Sequence, residues 1–164
     1  MKIIRLNERT IAIGPMDLFC TELLHQIRLS ANPEGDRAAK ERLFPSPTRG
    51  MDEEFDEEWI EYITPELAEL FASSIQVIEK DLADFPPSLP ADDHHTLELP
   101  ISHLEAWIHG LNQARLVTAA RYNFTEEDMD NEVPLDGDIR ALALFQVHFY
   151  GWLQECFLRI LEKE

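Results

Sequence analysis

The stretch Ala106–Phe124, AWIHGLNQARLVTAARYNF, has apolar residues at helical spacing with an arginine among them. On a helical wheel that starts at Leu104 and advances about 100° per residue, six apolar side chains of this stretch fall within about 80° of one line. Arg115 lands about 20° from that line. The spacing therefore predicts a helix over 103–122 whose core-facing side carries a charge. The six apolar positions near that line are Trp107, Ile108, Leu111, Ala114, Ala119 and Tyr122.

Arg115 needs partners if it is buried, because an unpaired charge in a protein core costs several kcal/mol. Polar side chains that fall on the apolar faces of the neighbouring predicted helices are Asp81, Ser74, Gln146 and Gln154. We predict that Arg115 meets some of them in a polar network between helices, with Asn112 at its rim. Such a network either fixes helix register or borders a pocket in which Arg115 holds an anionic group. A third interpretation places Arg115 at an edge, from which it reaches water.

The remaining sequence predicts a mainly α fold, a four-to-five-helix bundle that forms a single domain over residues 1–164. A polar turn at Asn7–Arg9 between two apolar runs predicts a short N-terminal β-hairpin. Thr64-Pro65 indicates a helix start, and Ser102–Glu105 matches a capping box. The segment 91–99 is expected to be an exposed loop. The predicted elements are a hairpin over 1–13 and helices over 15–31, 52–63, 65–84, 103–122 and 138–161.

Net charge separates this chain from several classes of protein. Its 164 residues include 32 acidic and 14 basic side chains, which give a formal net charge of −18. Nucleic acids and anionic membrane surfaces are therefore poor partners. No apolar run approaches the roughly 20 residues that cross a bilayer. The N-terminus has charges inside its apolar run and no cleavage pattern, so we expect a cytoplasmic protein.

No residue pattern predicts a catalytic residue, a metal site or a cofactor. The chain has neither a Gly-x-Ser-x-Gly motif nor a glycine-rich phosphate loop. Asp92–His95 offers transition-metal ligands, but adjacent loop residues rarely close a site alone. Asp128–Glu132 resembles the start of a calcium loop, yet Val133 stands where that loop requires glycine. Cys20 and Cys156 lie on apolar helical faces and are expected to be buried thiols.

Several segments carry a resemblance to a known family: RLFPSP (42–47), EEFDEEWIEYITPELAELF (53–71), AWIHGLNQARLVTAAR (106–121) and YGWLQECFLRIL (150–161). They are similar to the bacterial domain-of-unknown-function family 2017, which is common in actinobacteria. The resemblance implies recurrent polar positions at Asn112, Arg115, Arg121, Gln154 and Glu155. In that family an acidic residue often follows the asparagine that corresponds to Asn112 and often precedes the tryptophan that corresponds to Trp152. Here those places hold Gln113 and Gly151.

The net charge, the broad apolar face of the last helix and the lack of catalytic groups favour a non-catalytic, acidic protein-interaction module. Such a module would bind another protein or itself. Phe145 and Trp152 lie at the margin of the apolar face and are its candidate interface residues. Genes of the resembled family often lie near that of the ClpS adaptor, which implies an adaptor-like role in regulated proteolysis. The alternative hypothesis is a small-ligand-binding protein or enzyme with a polar pocket around Arg115.

Overall fold

The computed structural model describes residues 1–86, 95–130 and 137–162. It confirms a mainly α fold that begins with an antiparallel strand pair. The strands are β1 (Lys2–Arg5), β2 (Thr10–Met16) and β3 (His95–Pro100). The helices are α1 (Leu18–His25), α2 (Ile27–Ser30), α3 (Arg37–Leu43), α4 (Glu53–Glu58), α5 (Thr64–Leu82), α6 (Leu104–Arg121), α7 (Glu126–Asp130) and α8 (Ile139–Leu161).

The sheet has a third strand that the sequence interpretation missed. β3 pairs antiparallel with β2, giving the order β1-β2-β3. Leu97 and Leu99 are buried, whereas the intervening Glu98 is exposed. The expectation of an exposed loop over 91–99 was therefore wrong from residue 95 onward, because this short alternation is a half-buried strand. Residues 91–94, and with them most of the Asp92–His95 metal candidate, lie outside the described residues.

The predicted boundary between hairpin and first helix was too early. β2 continues through Gly14 and Pro15 to Met16, with an irregular register between Ile13 and Met16. Such a bulge accommodates a proline, which has no N–H for the strand ladder. α1 begins only at Leu18, where the Asp17 carboxylate accepts a hydrogen bond from the Cys20 N–H at 2.8 Å. The helix predicted over 15–31 is therefore shorter at its start, and it is divided into α1 and α2.

The predicted break before residue 65 is absent within the described residues 53–82. The chain passes from α4 into α5 through a π-helical segment, Trp59–Ile63. The Thr64 N–H donates to the carbonyl of Trp59, five residues earlier, and Thr64 has helical backbone angles. A proline ring clashes with the carbonyl four residues before it in a regular helix. The wider turn changes the local hydrogen-bonding register just before Pro65, so the chain remains helical.

The capping-box prediction at residue 102 was also wrong. A 3-10 turn, Ile101–His103, leads into α6, and no side-chain cap supports its start. The helix bounds themselves differ from the predicted 103–122 and 138–161 by at most one residue.

The core lies where α6 packs between α5 and α8, with the sheet at one end. Gly110 lets α5 approach α6 closely, because a Cβ at that position would lie 2.4 Å from Cδ1 of Ile78. The largest fully buried side chains include Trp107 on α6 and Tyr150 and Phe157 on α8. This packing places Arg115 against α8.

Candidate functional site

Arg115 is half-buried and held by α8 on one side. Its Nη1 donates to Oε1 of Gln154 at 2.6 Å, and Nε2 of Gln154 donates to the carbonyl of Ile108 at 2.8 Å. The guanidinium also lies against the backbone of Gly151, where an added Cβ would be 3.2 Å from Cζ. The structure therefore places Gln154 beside Arg115, as the wheels suggested, and Gly151 supplies the space for the planar group.

The rest of the Arg115 guanidinium has no partner among the described residues. Its Nε is buried without an acceptor, and no salt bridge joins Arg115 to a described carboxylate. Burial lowers the pKa of Arg115 from its ordinary value. An arginine nevertheless remains charged near neutral pH. The side chain is therefore a cation without a compensating charge from the described chain.

Asp81 does not join Arg115, contrary to the expected network. Its carboxylate accepts hydrogen bonds from Nε1 of Trp107 at 2.8 Å and pairs with Nδ1 of His103 at 2.9 Å. Ser74 is buried, and its hydroxyl donates to the carbonyl of Leu70 within α5. Both residues do face the core, but the donors nearest to Asp81 are an indole and an imidazole from the start of α6.

Gln146 belongs to another buried cluster. Its Nε2 donates to Oγ of Ser30 at 2.9 Å and to the hydroxyl of Tyr150 at 2.8 Å. The Tyr150 hydroxyl in turn donates to the carbonyl of Leu23 at 2.6 Å. Burial raises the pKa of Tyr150 well above its usual range. This cluster ties α8 to α1 and α2 and does not reach Arg115.

Two other polar residues implied by the resemblance, Arg121 and Glu155, have partners away from Arg115. Arg121 is exposed, donates to the carbonyl of Asn32 at 2.8 Å and lies 3.5 Å from the Asp36 carboxylate. Glu155 is exposed and pairs with Arg159 one turn later on α8. These contacts stabilise the surface of the helices and bring neither residue into the Arg115 environment.

A cleft of about 420 Å³ opens beside Arg115. Its polar walls include Arg115 and Asn112 from α6 and Arg42 from α3. Arg42 and Asn112 are exposed. Sequence reasoning missed Arg42, because nothing in its local pattern shows that α3 packs across α6. The apolar and acidic lining residues are Leu116, Ala119, Phe124, Met129, Val147, Glu126 and Asp130, with Thr125.

A second feature is an aromatic face formed by Phe19 of α1 with Phe145, Phe149 and Trp152 of α8. The ring centroids are 5.4 Å apart for Phe19 and Phe145, and 6.4 Å apart for Phe149 and Trp152. Phe19 and Trp152 are 42% and 39% exposed, and Leu142, three residues before Phe145 on α8, is also exposed. The two residues predicted as interface candidates thus lie in one partly exposed apolar surface.

The chain matches a known protein family. A family model described as "Domain of unknown function (DUF2017)" matches residues 14–161. The chain belongs to the DUF2017 family. The matched region of this DUF2017 chain contains every residue of the cleft and of the aromatic face, and it begins inside β2. Comparisons with curated proteins and with solved structures found no match.

The thiols of this DUF2017 domain are not set up as nucleophiles. Burial, followed by the hydrogen bond to Asp17, raises the pKa of Cys20 to about 11. Burial also raises the pKa of Cys156. A thiol with a raised pKa carries little reactive thiolate near neutral pH.

Residues 1–86, 95–130 and 137–162 contain no group of three or more His, Cys, Asp or Glu that could hold a metal ion. No helix within these same ranges combines the length and apolarity that a membrane span requires.

Proposed function

We propose that this DUF2017 domain is a non-catalytic protein-interaction module that docks a basic partner protein on its aromatic face. The observation that carries the proposal is the exposure of Phe19 and Trp152 at the two ends of a chain of ring contacts that runs through Phe145 and Phe149. Large aromatic side chains contribute much of the affinity at protein interfaces, because they bury a wide area with few rotatable bonds. A contiguous exposed apolar surface is also typical of interaction sites.

Charge indicates the kind of partner. The domain has a formal net charge of −18, and Glu22, three residues after Phe19 on α1, is exposed. A basic partner gains electrostatic steering towards such a surface. A second copy of this chain brings the same net charge, so its approach is opposed by like-charge repulsion. We therefore favour a partner of opposite charge over self-association through this face.

Regulated proteolysis is the cellular process that we propose for this interaction, as the family resemblance implied. An adaptor needs a binding surface and no chemistry of its own. The aromatic face supplies such a surface, and the raised thiol pKa values leave Cys20 and Cys156 unsuited to nucleophilic attack.

The test is affinity capture with three purified forms of the chain: wild type, Trp152→Ser and Ile60→Ser. Ile60 is an exposed apolar residue of the π-helical segment and serves as the matched control. We expect a partner that binds wild type and Ile60→Ser but is lost with Trp152→Ser. Its affinity, measured calorimetrically with the purified partner, should fall as ionic strength rises from about 50 to 300 mM, since salt screens opposite charges.

Three outcomes would count against the proposal. A partner captured equally by Trp152→Ser would bind elsewhere. Binding that does not weaken with salt would remove the argument from charge. A stable dimer of the wild type that Trp152→Ser converts to a monomer would assign the aromatic face to self-association.

A further inference from the structure

The cleft beside Arg115 brings together hydrogen-bond donors that the described chain leaves without partners. Nε of Arg115 is buried with no acceptor, and its Nη1 alone is engaged, by Gln154. Among the described residues, the side chains of Arg42 and Asn112 have neither a hydrogen bond nor an ion pair. Other arginines of this acidic chain are paired with carboxylates, as Arg28, Arg37 and Arg140 are. Arg42 and Arg115 have no such pair among the described residues, and both line one cleft.

Guanidinium groups match the geometry of oxyanions, which they bind with two parallel N–H donors. Arg115 lines the cleft from α6, and Arg42 lines it from α3, so arginines of two elements border the same space. Asn112 lies one turn before Arg115 on α6 and adds an amide donor. The half-buried position of Arg115 strengthens its interaction with an anion, because screening by water is reduced there.

The other walls of the cleft select the kind of anion. Phe124, Met129 and Val147 present apolar surface, and the volume of about 420 Å³ suits a small organic molecule. Glu126 and Asp130 also line the cleft from α7, yet neither is paired with Arg115 or Arg42 among the described contacts. These carboxylates repel a multiply charged anion such as phosphate more strongly than a single carboxylate.

We propose that the cleft lined by Arg42, Asn112 and Arg115 binds a small organic monocarboxylate with an apolar body. The carboxylate meets the two guanidinium groups, and the apolar body lies against Phe124, Met129 and Val147. This site is separate from the aromatic face, which involves none of these side chains, so it stands or falls independently of the proposed interaction.

The test is an NMR titration of the whole chain labelled with nitrogen-15, observed at the Nε–H signal of Arg115. That N–H is buried and hence shielded from solvent exchange. The probes are phenylacetate, acetate and inorganic phosphate at constant ionic strength. We expect phenylacetate to move the signal saturably with a dissociation constant on the order of 1 mM, which suits a ligand of its size. Acetate and phosphate should bind at least about 10-fold more weakly.

Variants connect the signal to the cleft. Arg42→Gln alters an exposed side chain, so the fold is retained, and it should weaken phenylacetate binding by roughly 10-fold or more. Arg28→Gln is the control, because Arg28 is also exposed but pairs with Glu79 away from this cleft. It should leave the dissociation constant unchanged.

The proposal is overturned by any of three results. The first is the absence of a saturable shift with phenylacetate up to about 20 mM, some 20 times the expected dissociation constant. The second is unchanged binding in Arg42→Gln. The third is tighter binding of phosphate than of phenylacetate, which would assign the cleft to a different class of oxyanion.

Discussion

The buried carboxylate of Asp81 is the most informative residue to remove. Trp107 is 0% exposed, and its indole N–H has Asp81 as its hydrogen-bond acceptor at 2.8 Å. In Asp81→Ala that donor stays buried without a partner, which costs about 1–3 kcal/mol. The contact with Nδ1 of His103 at 2.9 Å is lost as well. We expect a total loss of about 2–3 kcal/mol in the free energy of unfolding.

The assay is equilibrium unfolding in urea at pH 7, followed by circular dichroism. Asp81→Asn keeps an acceptor oxygen for Trp107, so its loss should be about half as large, roughly 1–1.5 kcal/mol. Glu79→Ala is the control, since Glu79 pairs with Arg28 at the surface and should contribute at most about 1 kcal/mol.

A double-mutant cycle between Asp81→Ala and Trp107→Phe isolates the hydrogen bond from the effect of the smaller ring. We expect a coupling energy of about 1–2 kcal/mol for this directly bonded pair. A loss below about 0.5 kcal/mol for Asp81→Ala, or a coupling energy near zero, would refute the reasoning. Either result would mean that the Asp81 site is wet and that water replaces the carboxylate.

Three further predictions concern stability. Arg115→Met removes one hydrogen bond to the neutral Gln154 and should cost about 1 kcal/mol in urea unfolding; a loss of roughly 3–5 kcal/mol would instead indicate a buried charge pair. Gly110→Ala forces a Cβ against Ile78 and should destabilise by about 1–3 kcal/mol, and adding Ile78→Val, which deletes the obstructing Cδ1, should restore most of that loss. Burial raises the pKa of Tyr150, so the stability that its neutral hydroxyl contributes is complete below the ordinary tyrosine pKa of about 10 and declines as the pH rises above it. The stability advantage of wild type over Tyr150→Phe should therefore shrink in alkaline urea titrations, and a constant difference would contradict this account.

Helices with a clear apolar stripe were predicted more accurately from the sequence than elements that form only through contacts with other parts of the chain. α6 and α8 have long apolar stripes, and their bounds differ from prediction by at most one residue. β3 has only a six-residue span and becomes a strand by pairing with β2. Pro65 was predicted to follow a helix start, but the chain is already helical before it because the preceding turn is a wider, π-helical one. Whether a turn widens in this way cannot be predicted from the proline alone.

The residues that an inward-facing polar side chain contacts were harder to predict than the fact that it faces inward. A helical wheel gives the direction of a side chain around its axis but not its height relative to the next helix. Asp81 and Arg115 both face inward, yet Asp81 meets His103, just before α6, and Trp107 in the first turn of α6. Arg115 lies about two turns beyond Trp107 on the same helix. Gln154 was identified correctly as a neighbour of Arg115. The two residues meet because the part of α8 that contains Gly151 and Gln154 packs against the Arg115 side chain of α6.

From the sequence alone came the acidic charge, the mainly α fold and an inward-facing arginine on α6, because composition and helical period are local properties of the chain. Only the tertiary structure decided what surrounds that arginine. It placed Gln154 on one side and Arg42, from a distant short helix, across an open cleft on the other. The physical reason is that side chains far apart in sequence come together only when the helices that carry them pack at a particular height and distance.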